Sequence, residues 1–220
     1  MKNILFAIIS GLLLSLAWPA GGFPLLLFFA FVPLLLAEVQ VRNSEKGWRK
    51  MRILGLSYIT FVLWNLFTTY WLYFSTPFGG TFAVLVNSLL MALVFLIYHI
   101  VAKRTNFTAA SAFFICIWIS FEKLHLTWEF SWPWLNLGNG FSAFHNWVQW
   151  YEFTGTFGGT LWVLLANFLI FKTVLLYREY REKGIIYRGI IKAAALIAVP
   201  IAISYGILAN YTPGEETVEA

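Results

Sequence analysis

Thr81–Ala102, TFAVLVNSLLMALVFLIYHIVA, runs for 22 residues without a Lys, Arg, Asp or Glu. The hydrocarbon of a bilayer is about 30 Å thick, and roughly 20 apolar residues in a helix cross it. The run has that length and composition, so it reads as a membrane-crossing helix. Six more apolar runs flank it: Ile4–Ala17, Pro24–Ala37, Ile53–Phe74, Phe107–Phe121, Phe157–Leu176 and Ile190–Ala209. The composition of the chain agrees. It is 60% hydrophobic and 11% charged, with a mean hydropathy of +0.74, whereas soluble domains carry about a quarter charged residues. A soluble fold of 220 residues has nowhere to bury so much apolar surface. The expected fold class is therefore an all-α integral membrane protein of about seven transmembrane helices.

The first, second and fifth runs are short, and they should recruit flanking residues or thin the bilayer locally. The first two are joined by Trp18–Pro24, WPAGGFP, whose Pro and Gly break any helix there. Two short spans and a re-entrant hairpin both fit this pattern. Lys2 and the apolar run after it resemble the opening of a signal peptide. The exit at Trp18–Gly22 is a poor small-x-small cleavage site, so a retained helix is expected.

Lys and Arg in short loops set orientation. With the N-terminus in the cytoplasm, Lys2, the cluster Arg42–Arg52, the pair Lys103 and Arg104, and the group Lys172–Lys192 all fall inside. That leaves only Lys123 outside of the 15 basic residues. The net charge of +5 is thus a topology signal rather than a nucleic-acid surface. On this reading residues 1–209 form a membrane domain, and residues 210–220 a polar, acidic periplasmic tail. Helices five and six are joined by a long, aromatic periplasmic loop.

Several chemistries are excluded. The chain holds one Cys and no Asp, so intrachain disulfides and Ser-His-Asp triads are impossible. His99, His125 and His145 are too scattered for a zinc motif. No metal, cofactor or catalytic centre is expected. Cys116, in SAFFICIWIS, has apolar neighbours and no nearby base; it reads as a packing residue buried in its span.

The long loop carries the candidate site. Ser131–Phe141, SWPWLNLGNGF, holds two Trp, one Pro and two Gly. Aromatics continue through Trp147, Trp150 and Phe153. An interfacial belt and a loop dipping into the outer leaflet to shape an acyl-chain groove are both compatible with this. Phe141, Phe144, Val148 and Tyr151 follow helical spacing and suggest an amphipathic surface helix. His145, Gln149 and Glu152 then share its polar stripe, facing water or a lipid headgroup. Glu122 and His125 lie three residues apart at the end of the fifth span. The Glu is either solvated or paired with Lys123, His125 or a substrate ammonium. Elsewhere, Asn65, Thr68 and Thr69 share one helix face suited to interhelical contact. Gly155, Gly158 and Gly159 permit close helix approach, with Asn167 as an interhelical donor.

These stretches, in order, resemble the membrane domain of the apolipoprotein N-acyltransferases. SLAWPAGGFPLLLFFAFVPLLLA is similar to that family's N-terminal hairpin and WNLFTTYWL to its third-helix motif. WISFEKLHLTWEFSWPWLNLGNGF resembles its W-x-x-x-E-x-L-R segment and following (F/W)-P-W-x-x-x-G loop. QWYEFTGTFGGTLWVLLAN resembles its Q…G-x-x-G…N helix. The matching residues are Trp118, Glu122, Leu124, Pro133, Trp134, Gly138, Gln149, Gly155, Gly158 and Asn167. His125 departs from the pattern, standing where the family commonly has Arg.

The resemblance implies acyl transfer from a phospholipid to the N-terminal diacylglyceryl-cysteine of lipoproteins, in the bacterial cytoplasmic (inner) membrane. In the family, a nitrilase-like domain carrying a Glu-Lys-Cys triad follows the membrane helices. That triad is missing from these 220 residues, so the chain is expected to be a truncated membrane portion, inactive alone. The implied partners are membrane lipids, with a lipoprotein substrate once a catalytic domain is present. Glu122, His125, Pro133, Trp134, Gly138 and Gln149 are then candidates for lipid contact or loop structure. Asn65, Gly155, Gly158 and Asn167 are candidates for helix packing. A stand-alone membrane protein that binds lipid or a separately encoded hydrolase is the alternative. A small transporter has only weak support, because the charges lie at span ends and in loops rather than mid-span.

Overall fold

The computed structural model describes residues 1–18 and 21–211. Pro19 and Ala20 of the first connector lie outside the described residues, as does the acidic stretch Thr212–Ala220. The helices are α1 (Lys2–Leu16), α2 (Val32–Arg42), α3 (Arg49–Thr69), α4 (Leu72–Ser75), α5 (Pro77–Ala102), α6 (Phe107–Thr127), α7 (Tyr151–Tyr180) and α8 (Lys183–Ala209). Three 3₁₀ segments join them, at Pro24–Phe29, Pro133–Leu135 and Leu137–Trp147. There is no strand among the described residues.

Six stretches are long and apolar enough to cross a membrane. They are Pro24–Arg42, which joins the first 3₁₀ segment to α2, together with α3, α5, α6, α7 and α8. The chain is thus an all-α membrane protein. The first apolar run differs from the other six. At 15 residues α1 reaches about 22 Å, short of the hydrocarbon thickness.

Local chemistry sets the helix ends. α5 begins at Pro77, where a missing N–H costs nothing, and Thr76 accepts from the Gly79 amide at 3.2 Å. Asn106 caps α6 through the Ala109 amide at 2.9 Å. α3 packs along both α1 and α5, and α2 fits among α1, α3 and α7. Between them lies an aromatic core. Phe31 meets Trp118 edge-on at 5.2 Å, and Phe114 meets the same Trp at 5.4 Å. α8 is the least buried of the six long stretches.

The second apolar run is broken. Between the 3₁₀ segment and α2, backbone groups lose their helical partners while remaining buried, and Pro33 has no N–H to offer. Side chains from other helices replace those partners. Asn167 of α7 donates to the Leu27 carbonyl at 2.7 Å and accepts from the Phe31 amide at 2.9 Å. Ser10 of α1 accepts from the Leu34 amide at 2.9 Å. Asn167 was expected to bond between helices; its targets are the backbone at this break.

Two features escape a reading of the sequence. Glu38 and His99 are both buried, and Glu38 Oε1 lies 2.7 Å from His99 Nδ1, bracing α2 against α5. Arg42 extends the brace to the same carboxylate at 3.4 Å and to the Ala102 carbonyl. Cys116, expected to be buried, is exposed on α6. Phe114, Ile115 and Trp118 take the inward face instead, and residues two positions from Phe114 or Trp118 point away on a helix.

Replacing Asn167 by Leu strands the Leu27 carbonyl and the Phe31 amide. Unfolding in detergent micelles should show a loss of about 1–3 kcal/mol, the range for unsatisfied buried groups. Cys116→Ala, at an exposed position, should stay within about 0.5 kcal/mol of the parent.

Candidate functional site

The W-x-x-x-E spacing of Trp118 and Glu122 is one helical turn, and the structure uses it as such. Trp118 Nε1 donates to Glu122 Oε1 at 3.0 Å. The same oxygen accepts from the Leu137 amide at 2.8 Å, and Oε2 accepts from the Thr160 hydroxyl at 2.6 Å. Glu122 is buried, 2% exposed, and its hydrogen bonds go to neither Lys123 nor His125. One carboxylate therefore ties three elements together: its own helix, the loop at Leu137, and α7 through Thr160.

The P-W-x-x-x-G spacing has its own physical account. Pro133 opens a 3₁₀ turn, and its carbonyl accepts from Asn139 Nδ2 at 2.9 Å. Trp134 is about half exposed and meets Trp71 edge-on at 5.4 Å. Gly138 is clamped against α7. Its amide donates to Thr160 Oγ1 at 3.1 Å, and its carbonyl accepts from the Tyr151 hydroxyl at 2.9 Å. A Cβ at Gly138 would fall 1.9 Å from the Thr156 carbonyl oxygen. No side chain fits there.

The glycines that open α7 have different roles. Gly155 has φ +63 and open space around it, so it kinks the chain inside α7. A Cβ on Gly158 would strike Thr154 and Trp150 of the same segment. A Cβ on Gly159 would strike the Tyr151 hydroxyl, and lie 2.9 Å from Gly138 Cα. The close approach predicted for these small residues is real for Gly159, but its partner is the loop.

The middle of the long loop is interior. Leu135, Leu137, Gly138, Gly140 and Phe141 are buried, and Phe141 packs between Phe28 and Trp162 at 5.5 and 5.1 Å. Phe130, Trp134 and Phe153 are exposed. The aromatics thus divide between a core plug and an outer fringe. The expected amphipathic helix is replaced by the 3₁₀ segment Leu137–Trp147, which departs from helical geometry at Phe144 (φ −121, ψ 45). His145 and Glu152 are exposed, as the polar stripe predicts. Gln149 is tied down: its amide donates to Ser204 Oγ of α8 at 3.0 Å, and its side chain to the His145 carbonyl at 2.9 Å.

His125 is buried and separate from Glu122. Its Nδ1 accepts from Trp128 Nε1 at 3.1 Å, and its carbonyl accepts from the Trp132 amide at 2.9 Å. Asn65 reaches α5, where its Oδ1 accepts from Asn87 Nδ2 at 2.7 Å. Thr160, Ser204 and Asn87 belong to these networks and were missed by the sequence reading, while Tyr151 was read only as part of the apolar face of a surface helix. Only Asn87 left a signal, as a polar residue in the middle of an uncharged run that had to find a partner. There is no cluster of metal-ligating side chains among the described residues.

Glu122→Leu removes the acceptor of three donors at once. Hydrogen exchange at the Leu137 amide should accelerate about 10- to 100-fold, as loss of a charge-assisted bond worth roughly 1.5–3 kcal/mol implies. The Ala92–Tyr98 amides of α5, far along the bundle, should keep their protection.

Comparison with known proteins follows the same residues. The family described as "Apolipoprotein N-acyltransferase N-terminal domain" matches residues 10–169. An apolipoprotein N-acyltransferase of Chlorobaculum tepidum is 29% identical over 213 residues, covering 95% of this chain and 38% of that protein. One of Geobacter metallireducens is 24% identical over 215 residues, covering 96% of this chain and 41% of that protein. The chain spans about two fifths of the length of these curated relatives. The match to residues 10–169 contains the Trp118–Glu122 turn, the Pro133–Gly138 loop and Asn167, and the chain belongs to the apolipoprotein N-acyltransferase N-terminal domain family.

Proposed function

We propose that this chain is the lipid-handling membrane part of an apolipoprotein N-acyltransferase in the bacterial cytoplasmic membrane. The complete activity moves an acyl chain from a phospholipid to the N-terminal diacylglyceryl-cysteine of a lipoprotein. The observation that carries this reading is the Glu122 anchor. It fixes Leu137 and Gly138 of the loop onto α7, in the stretch that the family match covers.

The division of labour follows from chemistry. Acyl transfer through a covalent intermediate needs an activated nucleophile with a base in hydrogen-bond reach. Cys116 sits exposed among apolar neighbours on α6, with no base beside it. The nucleophile is therefore proposed to lie outside these 220 residues, and the membrane part to hold and present lipid. The proposed orientation has the N-terminus inside and the Glu122–Thr156 stretch on the periplasmic side, as the distribution of Lys and Arg favours. The proposed partners are the phospholipid acyl donor and the lipoprotein substrate.

Mass spectrometry of lipoprotein N-termini tests the division. Cells depleted of their acyltransferase and expressing only this chain should keep diacylated N-termini. Triacylated N-termini would overturn it. Orientation has a separate check. In a Cys116→Ala background, Ser142→Cys should react with a membrane-impermeant thiol reagent in intact cells. Glu45→Cys should react only after the cells are opened.

A further inference from the structure

α8 carries a proline in its interior, Pro200. Proline has no N–H, so the Leu196 carbonyl, four residues before it, loses its helical donor, and the ring crowds that carbonyl. Within a bilayer a freed carbonyl needs another donor. Trp162 of α7 supplies one: its Nε1 donates to the Leu196 carbonyl at 2.7 Å. The same indole packs on Phe141 of the long loop at 5.1 Å. Leu196, Ile197 and Ile201 pack against the core beside it. Pro200 therefore sits over a fixed point.

Beyond that point α8 is poorly held. Among the described residues from Ile201 to Ala209, Ser204 alone is buried. Ile203, Tyr205 and Leu208 are exposed, and a Cβ on Gly206 would meet nothing within 4 Å. Ser204 also uses its hydroxyl differently from other span residues. Ser57, Thr69 and Ser88 each donate to the carbonyl four residues earlier in their own helix. Ser204 Oγ leaves its helix, donating to the Trp147 carbonyl at 2.7 Å and accepting from the Gln149 amide at 3.0 Å. These two bonds hold the end of the long loop on α8, as Glu122 holds Leu137 on α6.

We propose that Pro200 is a hinge and Ser204 a latch. Ile201–Ala209 swings about Pro200 as one arm. Latched, as here, the arm holds Trp147–Gln149; released, it lets that end of the loop move away from α8. Helices bend where a ladder bond is missing, and a hinge needs only a few residues that absorb the change. The latch consists of two neutral hydrogen bonds, each worth about a factor of five. The bond from the Leu137 amide ends on a carboxylate and is stronger. The loop is thus fixed at Leu137 and releasable at Trp147–Gln149. Such a motion belongs to this chain and needs no acyl transfer, so each reading can fail without the other.

Double electron–electron resonance between spin labels in membrane vesicles reads the motion. In a Cys116→Ala background, Leu89→Cys on α5 is paired with Leu208→Cys, beyond the hinge, or with Ile191→Cys, before it; all three positions are exposed. An arm of this length reaches about 14 Å, so a swing of roughly 20° moves its end by about 5 Å. The parent should give one main distance for each pair. Ser204→Ala removes both latch bonds and should raise the released population roughly 25-fold, seen as a second distance for the Leu208 pair alone. Adding Pro200→Ala returns an N–H to the Leu196 carbonyl and should restore the single distance. A second distance that is missing in Ser204→Ala, that appears for the Ile191 pair as well, or that survives Pro200→Ala would overturn the proposal. The parent chain gives an independent reading. Its Gln149 amide should exchange about tenfold faster than its Leu137 amide. Equal protection of the two amides would rule out the latch.

Discussion

Inside a bilayer, a backbone group freed from a helix has no water to turn to. Every break must be repaired by another part of the protein. Two side chains make the main repairs here. Asn167 serves both ends of the break between the first 3₁₀ segment and α2. Glu122 receives the Leu137 amide where the long loop re-enters the core. These two contacts hold the broken second span against α7 and the re-entering loop against α6.

A carboxylate is a costly group to bury unless donors surround it. Glu122 meets that condition with an indole N–H, a backbone amide and a hydroxyl. Thr160 both donates to the carboxylate and accepts from Gly138, so the network is continuous from α6 through α7 to the loop. Networks of this kind reinforce one another when complete and fail together when one member is lost. The absent side chains at Gly138 and Gly159 belong to the same network. Their close approach sets the distance at which Tyr151 reaches the Gly138 carbonyl.

The helices were legible because hydrophobic length is a one-dimensional property. Thr81–Ala102 and Ile190–Ala209 appear within α5 and α8 as read. α1 fell short because its apolar run ends at the Trp18–Pro24 connector before spanning length is reached. The loop was harder. Its Trp and Phe residues look alike in sequence, yet Phe141 fills the core and Trp134 faces outward. What separates them is the anchor at Leu137, a backbone amide, and no side-chain pattern announces that contact. Gly155 and Gly159 show the same limit. Both read as small packing residues, and only the fold distinguishes a kink at positive φ from a contact with the loop. Thr160 carried no signal at all, because a Thr in a span is ordinary until a carboxylate is found beside it.

Polar satisfaction also shows what the buried carboxylate is for. Glu122 has three donors on a group with about four acceptor positions, so little capacity remains for a substrate. It is a structural anchor within the stretch that the family match covers.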